Sequence, residues 1–336
     1  MSSQAPLGFG AVRTLDLLPV MWLCAAVWLQ PLVALSQAFP TKPIKVVAPF
    51  PPGSGPDTIV RMLGARIGES MGQPLVIENN GGANGTIGAA QVARAAPDGY
   101  TVIFGNASTH VTSILMTKNT PYDPVKDFTP ITIAVEPVTC IAVNASLPVN
   151  SIAELVDYAK RNPGKVSYST PGVGAVFHFT SEIFRMRAGI DIVHVPYKGL
   201  APAVADLVAG RVQMISSSVS DVMPHARAGK VRILGIMEGR RYSGLPDVPL
   251  VSDALPGFEK PGSWHAFLGP AGMPQSLVTR WRDEINKAIN IPEVRTRLID
   301  MGMTPIGSTP EQFAAAMKSA LTEFGRVMKT VGIQPE

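Results

Sequence analysis

A glycine- and proline-rich segment, residues 50–57, carries the groups of this sequence best suited to binding an anion. The backbone N–H groups of Gly53, Ser54, Gly55 and Asp57 can point at one place, without help from a cationic side chain. A β-branched run precedes the segment and a helical apolar pattern follows it. The anion would therefore meet the positive end of a helix.

Two other interpretations of this segment stay open when it is considered alone. It can be a stiff turn that binds nothing, because prolines restrict its backbone. A phosphate loop is the weaker alternative, since no Gly-Lys-Ser/Thr ends the segment and no Gly-x-Gly-x-x-Gly spacing is present. Asp57 itself suits a helix cap or a loop brace better than a ligand contact, because its charge would repel a carboxylate.

Length and composition indicate a folded protein without a nucleic-acid partner. The chain has 336 residues, enough for two domains, with 46% hydrophobic and 16% charged residues. The formal net charge is +4, and the basic residues are scattered rather than grouped with aromatic side chains.

The N-terminal residues predict export. Residues 17–35 are largely apolar, Arg13 precedes them, and the small residues Ser36 and Ala38 follow them. We expect a signal peptide, residues 1–38, cleaved after Ala38, and a periplasmic mature protein. An uncleaved membrane anchor is the alternative. Cleavage would leave Cys140 as the only cysteine, so no intrachain disulfide is expected.

Short strand patterns alternate with helical patterns through the mature sequence, which favours parallel sheets with helices on both faces. Small polar or glycine-rich loops follow the strands that end near Ala48, Phe104, Ser169 and Ser216. Ligands of such sheets bind beyond the carboxyl ends of the strands. The repeated loop chemistry therefore favours a binding site over a single structural turn.

The sequence contains no constellation typical of catalysis. It lacks a Gly-x-Ser-x-Gly elbow and a His-Glu-x-x-His motif, and its five histidines are scattered. We expect no enzyme activity, no cofactor and no metal site.

Several motifs together carry a family resemblance over nearly all of residues 39–336. They include Glu78-Asn79-Asn80-Gly81-Gly82-Ala83-Asn84-Gly85, Ala96-Pro97-Asp98-Gly99-Tyr100, His194-Val195-Pro196-Tyr197-Lys198-Gly199, Leu245-Pro246-Asp247-Val248-Pro249 and the Pro-Gly-Ser-Gly-x-Asp loop. In this order they resemble the Bug-type receptors, the periplasmic substrate-binding proteins of tripartite tricarboxylate transporters.

The resemblance implies an α/β, two-domain periplasmic binding protein of the flytrap type, with parallel-rich sheets and a hinge of two crossings. One domain would take residues 39–138 and 263–336, and the other residues 139–262. The implied ligand is a small organic acid, such as a di- or tricarboxylate, an amino acid or an aromatic carboxylate. The implied partners are membrane transporter subunits, and we expect a monomer.

The matching positions give the candidate ligand-binding residues. From the first domain they are Phe50, Gly53, Ser54, Gly55, Asp57, Ser108 and Thr109, and from the second Gly174, Ala175, Phe177 and His178. Ser108 and Thr109 can equally be caps, Phe177 can be core, and His178 can be a structural hydrogen-bonding residue.

The second-domain loop departs from the family pattern. Ala175-Val176-Phe177 stands where members often carry hydroxyl residues, so we expect a ligand with an apolar or aromatic body. The alternative functions are a sensor subunit that signals to a membrane kinase and, as the weaker alternative, an exported enzyme. A cytoplasmic regulator's effector module is disfavoured, because an export signal occupies the N-terminus.

Overall fold

The computed structural model describes residues 1–5, 8 and 39–335. The apolar run and the cleavage site of the predicted signal peptide lie outside the described residues. Contacts divide the chain into Met1–Phe39 and Pro40–Glu336, and the fold below is that of the second unit. Within the described part, no helix has both the length and the apolar character that crossing a bilayer requires.

Strands and helices alternate along the chain. The elements up to residue 144 are β1 (Ile44–Ala48), α1 (Gly55–Met71), β2 (Leu75–Asn79), α2 (Thr86–Ala93), β3 (Thr101–Asn106), α3 (Ser113–Met116), β4 (Phe128–Pro137) and β5 (Thr139–Asn144). Those up to residue 236 are α4 (Ile152–Arg161), β6 (Val166–Thr170), α5 (Val176–Ala188), β7 (Ile192–Pro196), α6 (Leu200–Val208), β8 (Met214–Ser218), α7 (Val219–Arg227) and β9 (Val231–Ile236). The last are α8 (Val251–Ala254), β10 (His265–Pro270), α9 (Gln275–Asn290), α10 (Pro292–Asp300), β11 (Met303–Pro305) and α11 (Pro310–Val331).

These strands form two sheets, in agreement with the predicted two-domain α/β class. The first has the order β11-β4-β10-β3-β1-β2 and the second the order β7-β6-β8-β5-β9. Parallel pairing joins β1 to β2 and β3, and β6 to β7 and β8. The chain passes from the first sheet to the second at Val138 and returns through residues 237–264. The predicted domain boundaries at these crossings stay a prediction.

The first strand after each crossing runs against its neighbours. β5 is antiparallel to β8 and β9, and β10 is antiparallel to β3 and β4. As a result the start of β10 lies beside the end of β3, with His265 opposite Asn106. This reversal brings residues from two distant parts of the sequence to the edge where ligands of α/β sheets bind.

One hydrophobic core continues from the first sheet into the second, since Val47 and Tyr168 belong to the same cluster of buried residues. Helix α11 links the two parts, because Phe324 stacks on Phe179 of α5 with ring centroids 5.2 Å apart. Its other end packs Phe313 edge-on against Trp264, at 4.8 Å.

Local signals located the main helices correctly. The spacing of Thr309 and Gln312 predicts a capping box, and it is complete, since Thr309 Oγ1 accepts from the Gln312 N–H at 3.2 Å and Gln312 Oε1 accepts from the Thr309 N–H at 2.9 Å. The same spacing at Ser151 gives only half of a box, since Ser151 Oγ accepts from the Glu154 N–H at 3.1 Å but the Glu154 carboxylate accepts from the Asn150 N–H. The apolar spacing predicts a first helix from Ile59 to Met71, but α1 begins at Gly55, because a proline fits the first turn of a helix.

Three elements were not predicted from the sequence, the helices α3 and α8 and the strand β11. The Pro-, Gly- and Asp-rich residues 239–262 predict a long connection, but α8 interrupts it, and α3 and β11 are too short to show a periodicity. The strand patterns of residues 131–135 and 140–143 predict a break at Glu136 and Pro137, but β4 extends through both, because Pro137 and Met303 pair at the sheet edge.

Candidate functional site

The loop of residues 50–57 is built around the buried carboxylate of Asp57. Asp57 is 2% exposed. It accepts from the Gly53 N–H at 2.8 Å, from Asn79 Nδ2 at 2.7 Å and from Arg61 Nε at 2.9 Å. Burial would raise the pKa of Asp57, but the hydrogen bonds from Arg61, Asn79 and Gly53 outweigh it and hold the pKa below its ordinary value. Asp57 is therefore an ionised brace of the loop.

This brace changes which backbone groups are available to a ligand. The N–H of Gly53 already donates to Asp57, and the N–H of Ser54 donates to the Pro51 carbonyl at 3.3 Å. Gly55 and Asp57 lie in the first turn of α1, where the backbone N–H groups have no preceding helical carbonyl. Gly53 has a left-handed φ of 77°, a conformation that favours glycine.

A left-handed turn, residues 83–85, packs between the end of β1 and the loop that follows β3. Ala83, Asn84 and Gly85 have φ values of 49°, 55° and 86°. A Cβ placed on Gly85 would approach Thr109 Cγ2 to 2.6 Å and Pro49 Cβ to 2.9 Å. Gly85 therefore fills the space between the first and third strand ends. Two consecutive non-glycine residues in this conformation are strained, a feature enriched at binding sites.

The loop after β3 is held by its own hydroxyl. Thr109 is 1% exposed, and its Oγ1 lies 2.9 Å from the Asn106 carbonyl and 2.7 Å from His110 Nδ1. Ser108 is half-buried. Thr109 therefore stabilises the loop, and Ser108 is the predicted residue whose hydroxyl is the more accessible. Burial lowers the pKa of His110 to about 4, so this imidazole is neutral.

His265 lies beneath the first loop and was not predicted as a site residue. Its ring stacks on Phe104 at 5.8 Å and meets Phe50 edge-on at 5.9 Å. Its Nδ1 is buried and has no hydrogen-bond partner among the described residues. Burial lowers its pKa to about 4. The sequence signal was weak, because only the reversed direction of β10 places a strand start at this edge.

The second-sheet loop, residues 170–178, leads into α5. Gly174 is buried with φ 73°, Ala175 precedes the first turn of the helix, and Phe177 is half-buried. His178 is 5% exposed, and its Nδ1 accepts from the Gly174 N–H at 3.1 Å. Val173, which was not predicted, is the exposed apolar side chain of this loop, with 55% of its surface accessible.

Two of the predicted loops belong to opposite sheets and meet through Met116. A Cβ on Gly174 would lie 2.4 Å from Met116 Sδ, so the second-sheet loop rests directly on the end of α3. α3 continues from the turn Ser108–Thr112, which contains the predicted residues Ser108 and Thr109.

The serine run at the end of β8 lies next to this region in the second sheet. Ser216 is fully buried, and its Oγ has no partner among the described residues. Asp221 accepts from the Ser218 N–H at 3.2 Å and so caps the start of helix α7. No group of three or more His, Cys, Asp or Glu side chains suited to a metal is found within residues 1–5, 8 and 39–335.

Residues 59–333 match the model of the tripartite tricarboxylate transporter family receptor. The chain belongs to this receptor family. A UPF0065 protein of Pseudomonas sp. (strain P51) is 39% identical over 293 residues, which cover 87% of each chain.

Solved receptors carry the same fold. A protein of R. palustris, solved with adipate, is 33% identical with a TM-score of 0.75, covering 89% of this chain and 100% of its own. MatC from Rhodopseudomonas palustris, solved with bound malate, is 31% identical with a TM-score of 0.69, covering 86% and 99%. The receptor described here is thus a periplasmic-type solute-binding protein, as the sequence motifs predicted.

Proposed function

We propose that this receptor binds a small organic acid with its carboxylate at the first turn of α1, between the two sheets. The observation that carries the proposal is the charge arrangement at Asp57. Arg61 and Asn79 balance the internal carboxylate, so the positive end of α1 remains available to an external anion. The N–H groups of Gly55 and Asp57 are the proposed donors, and Ser108 is a further one.

The second-sheet loop selects the body of the ligand. Val173 and Phe177 offer apolar surface to a ligand. His178 Nδ1 already accepts a hydrogen bond from the Gly174 N–H. Burying one aromatic or aliphatic side chain against a ligand contributes roughly 1.5–3 kcal/mol. We infer a dicarboxylate with an aliphatic chain, or an aromatic carboxylate. The two solved relatives contain adipate and malate, both dicarboxylates.

A thermal-shift screen of dicarboxylates from succinate to suberate, with benzoate and citrate added, tests this function. A ligand at a hundred times its dissociation constant stabilises the folded protein by about 2.7 kcal/mol. We expect the largest shift with a medium-chain or aromatic acid and a small one with citrate. The absence of a shift with every acid would reject the proposal.

Delivery to transporter subunits is the proposed role of the bound state, and signalling to a membrane kinase is the alternative within the same class. Deleting the membrane subunits should abolish ligand uptake and leave ligand binding unchanged. Incubation with each bound acid should return it unaltered, whereas turnover would favour the exported-enzyme alternative.

Export and assembly are proposed on the sequence. Intact mass of the protein isolated from periplasmic extract should correspond to a chain that begins at Phe39. An unprocessed mass in the membrane fraction would support the anchor. Light scattering should give the mass of a monomer with and without ligand.

A further inference from the structure

The rings of the buried His178 and the half-buried His194 form a stack beside the second-sheet loop. Their centroids are 3.9 Å apart and their planes differ by 12°. Tyr168 stacks on His194, at 5.0 Å and 20°. His194 lies on β7, the edge strand of the second sheet, so three elements of this part of the fold meet at one ring.

Both histidines bind the loop that the proposed ligand would contact. The N–H of Gly174 donates to His178 Nδ1 at 3.1 Å, and His194 Nε2 lies 2.6 Å from Thr170 Oγ1. Thr170 Oγ1 in turn bonds to Gly172 O at 3.2 Å. The stack therefore holds the loop at its beginning and at its end.

These contacts define where the protons are. His178 Nδ1 accepts a hydrogen bond, so its ring proton is on Nε2. A second proton, on Nδ1, would face the N–H of Gly174 and remove that bond. Two charged imidazoles at this separation would also repel each other.

The surrounding charges are few. Glu182 on α5 is 5% exposed, accepts from Tyr168 Oη and pairs with Arg185 at 2.7 Å. Burial, followed by the charge of His194, lowers the pKa of His178 to about 4, while Glu182 acts in the opposite direction. Burial also lowers the pKa of His194.

We propose that His194 is a positioning residue of the second-sheet loop, and that proton uptake by the His178–His194 pair releases this loop and weakens ligand binding. The second half of this inference rests on the proposed function, because it assumes that the loop contacts the ligand. The tautomer and the stack do not depend on it.

The direction of the pH effect follows from the neutral state of the stack. Both pKa values are depressed while the loop is ordered, and they return towards about 6.5 when it is released. Loop order is thus fully present above about pH 6.5 and is lost as the pH falls towards 4. For each proton taken up, affinity falls by at most about tenfold per pH unit.

Calorimetric titrations with adipate between about pH 7.5 and pH 4.5 test the proposal in His194→Phe and Thr170→Val. Phenylalanine keeps the ring stack and loses the Thr170 contact, and valine keeps the shape of threonine. The titration of adipate itself cancels in the ratio of variant to wild-type dissociation constants. We expect this ratio to be about ten at neutral pH and to approach one in acid.

His225→Phe, on α7, is the matched control, and its ratio should stay near one at every pH. A ratio for His194→Phe that does not change with pH overturns the release mechanism. Far-ultraviolet circular dichroism confirms that each variant is folded. If His194→Phe does not fold, Thr170→Val decides by the same ratio.

A second measurement needs no ligand. Long-range ¹H–¹⁵N spectra of the free protein should show the Nε2–H tautomer of His178, and the Gly174 amide shift should move with its titration. An Nδ1–H tautomer of His178, or a Gly174 amide shift that does not change as His178 titrates, refutes the proposal even if adipate does not bind.

Discussion

Gly174 and Met116 are in direct contact, and a side chain on the glycine would require Met116 to move. A Cβ on Gly174 would approach the Met116 sulfur to 2.4 Å and its Cε to 2.5 Å. Gly174 belongs to the second-sheet loop and Met116 to α3, beside the first sheet. The position of the second-sheet loop is therefore coupled to the end of α3 through one glycine.

Replacing Gly174 by alanine should both destabilise the fold and weaken ligand binding. The left-handed φ of 73° costs roughly 1–2 kcal/mol for a residue with a Cβ, and the Met116 clash moves the loop further. We expect about 2–3 kcal/mol lower stability by urea unfolding and at least tenfold weaker binding of adipate by calorimetry.

The variant Gly189→Ala measures the cost of backbone strain at a glycine whose Cβ would touch no other residue. Gly189 also has a positive φ, 61°, but nothing lies within 4 Å of its would-be Cβ. The Gly189→Ala protein should lose about 1 kcal/mol of stability and keep its ligand affinity. In Gly174→Ala, adding Met116→Ala should restore part of the affinity, since the two residues touch. Full additivity of the two substitutions would contradict the coupling.

Much of this arrangement could be predicted from the sequence. The strand–loop–helix order, the glycine at position 53 and the bracing role of Asp57 follow from residue types and their spacing. These are local properties, and a few neighbouring residues determine each of them. Family motifs supplied the two-sheet fold, because they extend along the whole chain.

The remaining features depend on contacts between distant residues. His265 is near Phe50 only because β10 runs antiparallel to β3, and His194 stacks on His178 only because β7 pairs with β6. A strand's direction and neighbours are set by the whole topology, so periodicity could not reveal either contact. The hydroxyl of Thr109 instead donates to the Asn106 carbonyl three residues away, a local bond that the residue type alone does not distinguish from a ligand contact.

Arg61→Ala should reduce carboxylate affinity, although Arg61 itself does not contact the proposed ligand. Its loss leaves the charge of Asp57 less compensated, so the first turn of α1 repels the incoming anion. We expect roughly tenfold weaker adipate binding by calorimetry, with the effect reduced at high salt. Arg66→Ala, on the same helix and paired with the exposed Glu69, should bind adipate as the wild type does.

Phe177→Ser should change ligand preference rather than overall stability. The ring is half-buried at the first turn of α5, where the proposed ligand body would contact it. We expect the ratio of malate to adipate affinity to rise by about tenfold, as apolar contact is lost. Val173→Ser, at an exposed site of the same loop, should shift the ratio less. An unchanged ratio in Phe177→Ser would place the ligand body elsewhere.

Lys260→Met should destabilise the connection between the two sheets. The Lys260 side chain is 2% exposed and pairs with Glu238 at 3.0 Å, while Glu238 also accepts from the Thr139 N–H at 2.9 Å. Removing the cation leaves Glu238 buried with its charge unpaired, which costs about 3–5 kcal/mol. Urea unfolding of Lys260→Met should show this loss, and the double variant with Glu238→Gln should recover most of it. Thr139 follows the first crossing and Lys260 lies in the second, so the ion pair and the Thr139 hydrogen bond link the two crossings between the sheets. A double variant no more stable than Lys260→Met would show that the lysine acts through its packing, not through its charge.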